Sequence, residues 1–276
     1  MMRRLILSIL IFLATSTISL GYCPDIEITY NDGIYHIVLK GEKIKRHIKF
    51  VSSDSIITNK EAHHRMRSYL TVNAGFFDPK TEKSMSYIVT DRNTSEDPML
   101  TPSLYIDPNL RMNIDKILNR TEFRIVECND DKTRYRYEII PHKSPVDFTC
   151  TVVTSAQGGP LVYPELKLEE EFFVVYDKDG NVIRESASVL HKTSRTIIGL
   201  KGDDVHILVI TDDNPMTLPE VHELCKNLGF DRAMAFDGGS STSMNYLNKY
   251  NVISIKGDGA GRSLKSFLVV TKEKSK

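Results

Sequence analysis

Apolar and polar positions alternate with a period of two along much of this chain, the mark of half-buried strands. Residues 26–30 alternate in this way, Asn31-Asp32-Gly33 makes a hairpin turn, and residues 34–39 return as a second strand. Further strands are predicted at 47–51, 69–72, 123–126, 135–140 and 151–154. Residues 171–186 form a hairpin around Lys178-Asp179-Gly180-Asn181, and 194–200 with 205–211 form another through Lys201-Gly202-Asp203-Asp204. A closing strand lies at 264–270.

Helical spacing is scarcer. Residues 60–68 are polar and helix-compatible, and they carry His63 and His64, both expected on the surface. Residues 92–102 read as a loop, while 109–118 space Leu110, Met112, Ile114 and Ile117 loosely as a helix, with these apolar positions expected in the core. The clearest helix follows Thr217. Thr217 and Glu220 make a capping box, Pro219 is tolerated in the first turn, and Gly229 stops the helix. Val221, Leu224, Cys225 and Leu228 share one face. The strand before this helix and the apolar run 233–236 after it make a crossover unit, its strands expected to lie parallel or close to it. Together these elements predict an α+β fold of mixed, largely antiparallel β-sheets, a few packing helices and one strand-helix-strand unit near the C-terminus.

Several strand ends carry residues that strand propensity does not explain. The run 233–236 stops at Asp237, and Gly238-Gly239-Ser240-Ser241-Thr242 follows. Adjacent glycines admit positive φ, and successive N–H groups with hydroxyl donors make an anion-binding concavity. An oxygen-rich, anionic ligand is the expected occupant. A second glycine pair, Gly158-Gly159, follows the strand at 151–154. Asn73-Ala74-Gly75-Phe76-Phe77-Asp78-Pro79 ends the strand at 69–72; its amide and carboxylate can bind sugar hydroxyls or orient a catalytic group, and an Asx-type turn accounts for them equally well.

Composition narrows the partners. The 276 residues hold 36 basic and 36 acidic side chains, so neither nucleic acid nor an anionic membrane surface is an expected partner, and a bound anion must be held by local charges. Met1-Met2-Arg3-Arg4, an apolar stretch to Leu20 and the small residues of Ser19-Leu20-Gly21 predict a signal peptide at 1–21, hence a secreted, periplasmic or cell-envelope protein with no stable membrane span after cleavage. Four cysteines permit two disulfides in three pairings, of which Cys128–Cys150 is the most local. No C-x-x-C spacing suggests zinc; a divalent cation stays possible at the Asp-rich loops, although no cofactor is required. Asn93-Thr94-Ser95 and Asn119-Arg120-Thr121 fit the glycosylation sequon. A serine hydrolase using Ser240 or Ser241 lacks both the Gly-x-Ser-x-Gly elbow and a persuasive histidine partner.

Four pieces in order, Asn73-Ala74-Gly75-Phe76-Phe77, Gln157-Gly158-Gly159-Pro160-Leu161-Val162, Arg195-Thr196-Ile197-Ile198-Gly199 and Phe236 to Thr242, resemble the phosphodiester glycosidase family. The likeness spans roughly residues 65–272, preceded by an N-terminal β-hairpin region at 22–64. Two places depart from the family pattern: Ser84-Met85-Ser86-Tyr87, where a glycine-containing segment is usual, and Asp213, where Asp212 would be followed by glycine. The resemblance implies hydrolysis of a sugar from a sugar-1-phosphodiester on a glycan or envelope polymer. Asp237 is then the carboxylate at the reacting carbon, Asp212 the second candidate, and Asn73 orients sugar or water. Arg195 and Arg262 hold phosphate, with donors from Gly238, Gly239, Ser240, Ser241 and Thr242 and with the Gly158-Gly159 turn as a further wall. The alternative is a non-catalytic glycan- or envelope-binding protein on the same scaffold. The glycosidase reading requires the four pieces to converge in one cleft.

Overall fold

The computed structural model describes residues 25–41, 43–129, 135–254 and 261–271. The expected signal peptide, Cys23 and residues 257–260 of the glycine-rich loop before Arg262 lie outside the described residues.

Three antiparallel sheets enclose one core. The first runs, in spatial order, Ile26–Asn31, Ile34–Leu39, Asp204–Ile210, Arg195–Lys201, Arg232–Ala235 and Leu161–Tyr163. The second runs Tyr135–Pro141, Thr121–Cys128, Cys150–Gln157, Ile88–Thr90 and Asn93–Glu96. The third runs Tyr250–Ile253, Ser243–Tyr246, Ser68–Asn73, Leu264–Thr271 and Ile48–Ile57. Residues before 65 therefore share sheets with residues after it. Ile37, Phe50, Val72, Phe123, Ile198, Met234 and Leu268 meet in the space between the sheets, each buried. With helices few and strand pairs antiparallel, the architecture is α+β as the patterning implies.

The local rules act where they were strongest. Asp32 and Gly33 take φ of 45° and 75°, the two positive values that a tight hairpin turn needs. At the Leu218–Leu228 helix both capping-box bonds form, and Gly229 closes the end at φ 70°. Val221 and Cys225 bury themselves against the outer face of the first sheet with Ile197, Leu208 and Phe230. The Asp204–Ile210 and Arg232–Ala235 strands each pair antiparallel with Arg195–Lys201, which lies between them. The two strands of the crossover unit are therefore parallel.

Cys128 and Cys150 are bonded, joining directly opposed positions of two neighbouring strands, and Cys225 is a free, buried thiol. Three local expectations need correction. His63 is buried, because Ser68 and Thr71 offer hydroxyls to its Nδ1 at 3.1 and 3.0 Å, and only His64 is exposed. Met112 is 81% exposed, since residues 108–118 form two short helices in place of one amphipathic helix. Within the predicted loop at 92–102, Asn93–Glu96 adds an edge strand to the second sheet. Among the described residues no helix is long and apolar enough to cross a membrane, and no group of three His, Cys, Asp or Glu side chains converges.

Candidate active site

The Arg232–Ala235 strand delivers Asp237 to a point where the first and third sheets meet. Asp237 N–H donates to Ala74 O at 3.0 Å, and Asp237 O accepts from Asn73 Nδ2 at 2.6 Å. The same Asn73 amide accepts from Thr196 Oγ1 at 2.7 Å and from Ser243 N–H at 3.0 Å. One buried side chain thus ties the ends of three strands to the backbone beneath Asp237. These three bonds go to protein, so the side chain positions the turn.

The glycine turns serve the same purpose. Gly239 N–H donates to Ser194 O at 2.8 Å, Ser241 N–H to Gly238 O and Thr242 N–H to Gly239 O, so these three donors point into the protein and not toward an anion. Gly158 N–H donates to Thr121 O and Gly159 N–H to Ala235 O. A Cβ on Gly158 would stand 2.6 Å from Ala235 O, and one on Gly159 2.3 Å from Glu171 Oε2. Gly158 is glycine because the second sheet's strand end presses against the first sheet there, and Gly159 because it takes a φ of 93° against the Glu171 side chain. Thr242 is buried, and Asp212, at the end of the Asp204–Ile210 strand, accepts from Ser194 Oγ at 3.5 Å. Neither lines the cavity that Asp237 faces.

Arg195 also turns inward. Its Nε donates to Met216 O at 2.9 Å, Nη1 to Ala187 O at 3.2 Å, and Nη2 to Ser188 O and His191 O at 2.6 and 2.7 Å. Burial pulls this guanidinium down to about 10, against the favourable field of Glu185. Ala187 and Ser188 hold positive φ of 56° and 49°, so Arg195 fixes a strained loop through its carbonyls. Its donors are spent on backbone carbonyls, and it does not line the cavity that Asp237 faces.

What faces the ligand is a cavity of about 270 Å³ whose charged lining residues are Asp237, Arg120, Arg184 and Arg262. Phe76, Phe77, Phe173, Met85, Leu110 and Ile117 supply its apolar walls. Each guanidinium lies against a phenyl ring: Arg120 3.9 Å from the centroid of Phe173, Arg184 4.0 Å from Phe172 and Arg262 5.0 Å from Phe77. Such stacking holds a guanidinium flat without consuming its in-plane donors. Phe172, at a positive φ of 59°, presents its carbonyl to Arg120 Nη2 at 3.4 Å and to Arg184 Nη1 at 2.8 Å. Arg262 Nη1 donates to Ser240 Oγ at 2.8 Å and to Ser241 Oγ at 3.3 Å.

Crowding removes water from Asp237 and pushes its carboxyl up to about 6, while the Ser241 hydroxyl, the Arg262 charge and the Gly238 N–H pull the other way. A carboxylate near neutrality beside an arginine-lined cavity can act as base, nucleophile or charge stabiliser toward an anionic substrate. Arg120 and Arg184 escaped the sequence reading. Arg120 sits inside the sequon Asn119-Arg120-Thr121, whose Thr121 is buried and donates to Glu171 Oε1 at 2.6 Å. The available signal was the repeated Phe-Phe, at Phe76-Phe77 and Phe172-Phe173, which supplies the stacking rings.

The family model described as phosphodiester glycosidase matches residues 66–271. No curated protein sequence matches the chain. Among solved structures, the zebrafish N-acetylglucosamine-1-phosphodiester alpha-N-acetylglucosaminidase catalytic domain, auto-inhibited by its pro-peptide, aligns with a TM-score of 0.61 at 12% identity, over 90% of this chain and 81% of that one. A hypothetical protein from Synechocystis aligns at 0.56 and 12% identity, covering 88% of this chain and 61% of its own. A protein from Burkholderia pseudomallei aligns at 0.60 and 10% identity, covering 90% and 74%. At such identities the likeness concerns the fold.

Proposed function

Because the chain belongs to the phosphodiester glycosidase family, we propose that it hydrolyses the bond between the anomeric carbon of a sugar and a phosphodiester, releasing free sugar. One observation carries this reading: a single carboxylate, Asp237, shares a cavity with three arginines. An ordinary glycosidase needs a second carboxyl group to protonate the leaving oxygen. A departing phosphate carries its own negative charge, and guanidinium groups stabilise it without a proton transfer. Arg184 and Arg262 hold the phosphate, and Arg120 adds positive field. As the carbon–oxygen bond breaks, the electron pair leaves with the phosphomonoester and charge develops at the anomeric carbon. Ionised Asp237 faces that charge and takes the proton of the water that adds to the carbon. The Ser241 hydroxyl and Gly238 N–H keep the carboxylate oriented.

An oxidising compartment fits the Cys128–Cys150 bond, and the basic start with its apolar run supports export. The test is hydrolysis of a panel of sugar-1-phosphodiesters in ¹⁸O-water. Label in the released sugar supports the reading. Label in a sugar phosphate means cleavage of the other ester bond and overturns it, and saturable binding of the panel with no turnover assigns the glycan-binding alternative.

A further inference from the structure

A phosphodiester has two arms, and the cavity beside Asp237, of about 270 Å³, is the smaller of two adjoining spaces. Phe77, Met85 and Leu110 are lined on their far side by a larger groove of about 780 Å³, which they share with the cavity. This groove runs between the turn Asp78-Pro79-Lys80-Thr81 and the segment 103–110.

The chemistry of the groove is mostly apolar. Pro79, Ile106 and Pro108 join the three shared residues. Its two carboxylates are committed to their own backbone: Asp78 accepts from Lys80 N–H at 2.9 Å and Thr81 Oγ1 at 3.0 Å, and Asp107 from Asn109 and Leu110 N–H at 2.8 and 3.3 Å. Around it the same stretch of chain exposes apolar side chains to an unusual degree. Ile106 is 77% exposed, Leu100 78% and Met112 81%, with Met99 and Tyr105 also exposed. A folded protein seldom gathers so many on one short segment unless the surface receives an apolar partner.

We propose that this groove is the aglycone subsite and that it takes an alkyl or prenyl chain, so that the substrate is a lipid-linked sugar phosphodiester. The inference rests on the glycosidase reading for the catalytic step, with Arg262 and Phe77 marking the point where the phosphate passes between the two spaces. The reaction that supplies such a substrate is transfer of a sugar onto the phosphate of a phosphorylated long-chain alcohol, or of a sugar phosphate onto the free alcohol.

The experiment compares methyl, octyl and glycosyl esters of N-acetylglucosamine-1-phosphate with the purified protein, wild type and Ile106→Asp. Ile106 is too exposed for the substitution to disturb folding. Each buried methylene is worth roughly fourfold in binding, so partial burial of the octyl chain is expected to raise kcat/KM at least about 100-fold over the methyl ester. Ile106→Asp should remove about tenfold of that gain and leave the methyl ester unchanged. Equal rates for the methyl and octyl esters, an equal loss on both in the variant, or a preference for the glycosyl ester over the octyl ester overturns the proposal. If none of the esters is cleaved, the glycosidase reading is the one that fails. The groove is then judged by calorimetry: octyl phosphate binding far more tightly than methyl phosphate upholds it, and equal affinity removes it.

Discussion

Asn73 and Arg262 both neighbour Asp237, one at its backbone and one at its carboxyl, and they spend their hydrogen bonds in opposite ways. Asn73 gives its capacity to Asp237 O, Thr196 and Ser243, and is 1% exposed. Arg262 lies on the face of Phe77 and, among the described residues, donates to the Ser240 and Ser241 hydroxyls beside a cavity. The same contrast separates Arg195, whose fork is filled by four carbonyls, from Arg184, which lines the cavity. Within the motifs, Asn73 and Arg195 hold a floor in place while Asp237, Phe76 and Phe77 line the cavity; Arg120 and Arg184, which join them there, come from segments with little pattern of their own. Burying polar groups in a satisfied network costs little and fixes geometry, whereas a binding charge must keep donors available.

The comparison predicts distinct losses on the two sides, and the carboxylate between them shows the largest. Asp237→Asn keeps acceptors for Ser241 and Gly238 but removes the charge. Turnover of a sugar-1-phosphodiester is expected to fall by about 1,000-fold or more, on the order of 4 kcal/mol, with the fold intact by circular dichroism. Turnover within tenfold of wild type would take Asp237 out of the chemistry.

On the floor, Asn73→Ala leaves an amide, a hydroxyl and a carbonyl unpaired in a dry interior. A loss of about 3 kcal/mol in unfolding free energy is expected, read by denaturant titration. On the wall, Arg262→Met keeps much of the contact with Phe77 while removing the charge. It should weaken substrate by about 10- to 100-fold, seen in KM, with little change in stability. Arg195→Met should show the reverse, a lower Tm with substrate affinity falling less. If Arg195→Met raised KM as much as Arg262→Met did, the division between floor and wall would collapse.

The division also explains what could be read from the chain. The hairpins, the capping box and the crossover unit depend on neighbours in sequence, so Asp32-Gly33 and Thr217-Glu220 were legible. Asp237 was legible too, as a carboxylate at a strand end. Whether a donor is available is not a local property. The sequence displays Arg195 and Gly239 as donors but not the carbonyls of Ser188, His191 and Ser194 that take them. Arg120 illustrates the converse, since its ring partner Phe173 comes from a distant hairpin and nothing beside Arg120 announces it. His63 failed for the same reason: Ser68 and Thr71 reach it only once the helix has packed on the third sheet.

The smallest predicted effect is in stability, and its sign is the informative part. The Asp237 carboxyl titrates near 6 in the folded chain and near 3.8 when unfolded. Between these values the native state binds more protons than the unfolded state, so stability falls as pH rises from about 4 to about 6. Ionised Asp237 is a cost carried at neutral pH, on the order of 2 kcal/mol once its opening to the cavity is allowed for. Asp237→Asn should therefore be more stable than wild type above pH 6 and no different below pH 4, by urea unfolding across that range. Activity should move the other way, rising through the same interval as the carboxylate forms. A Tm for the variant that is lower at every pH would mean that the floor does not impose this charge, and that Asn73 and its partners hold the turn for packing alone.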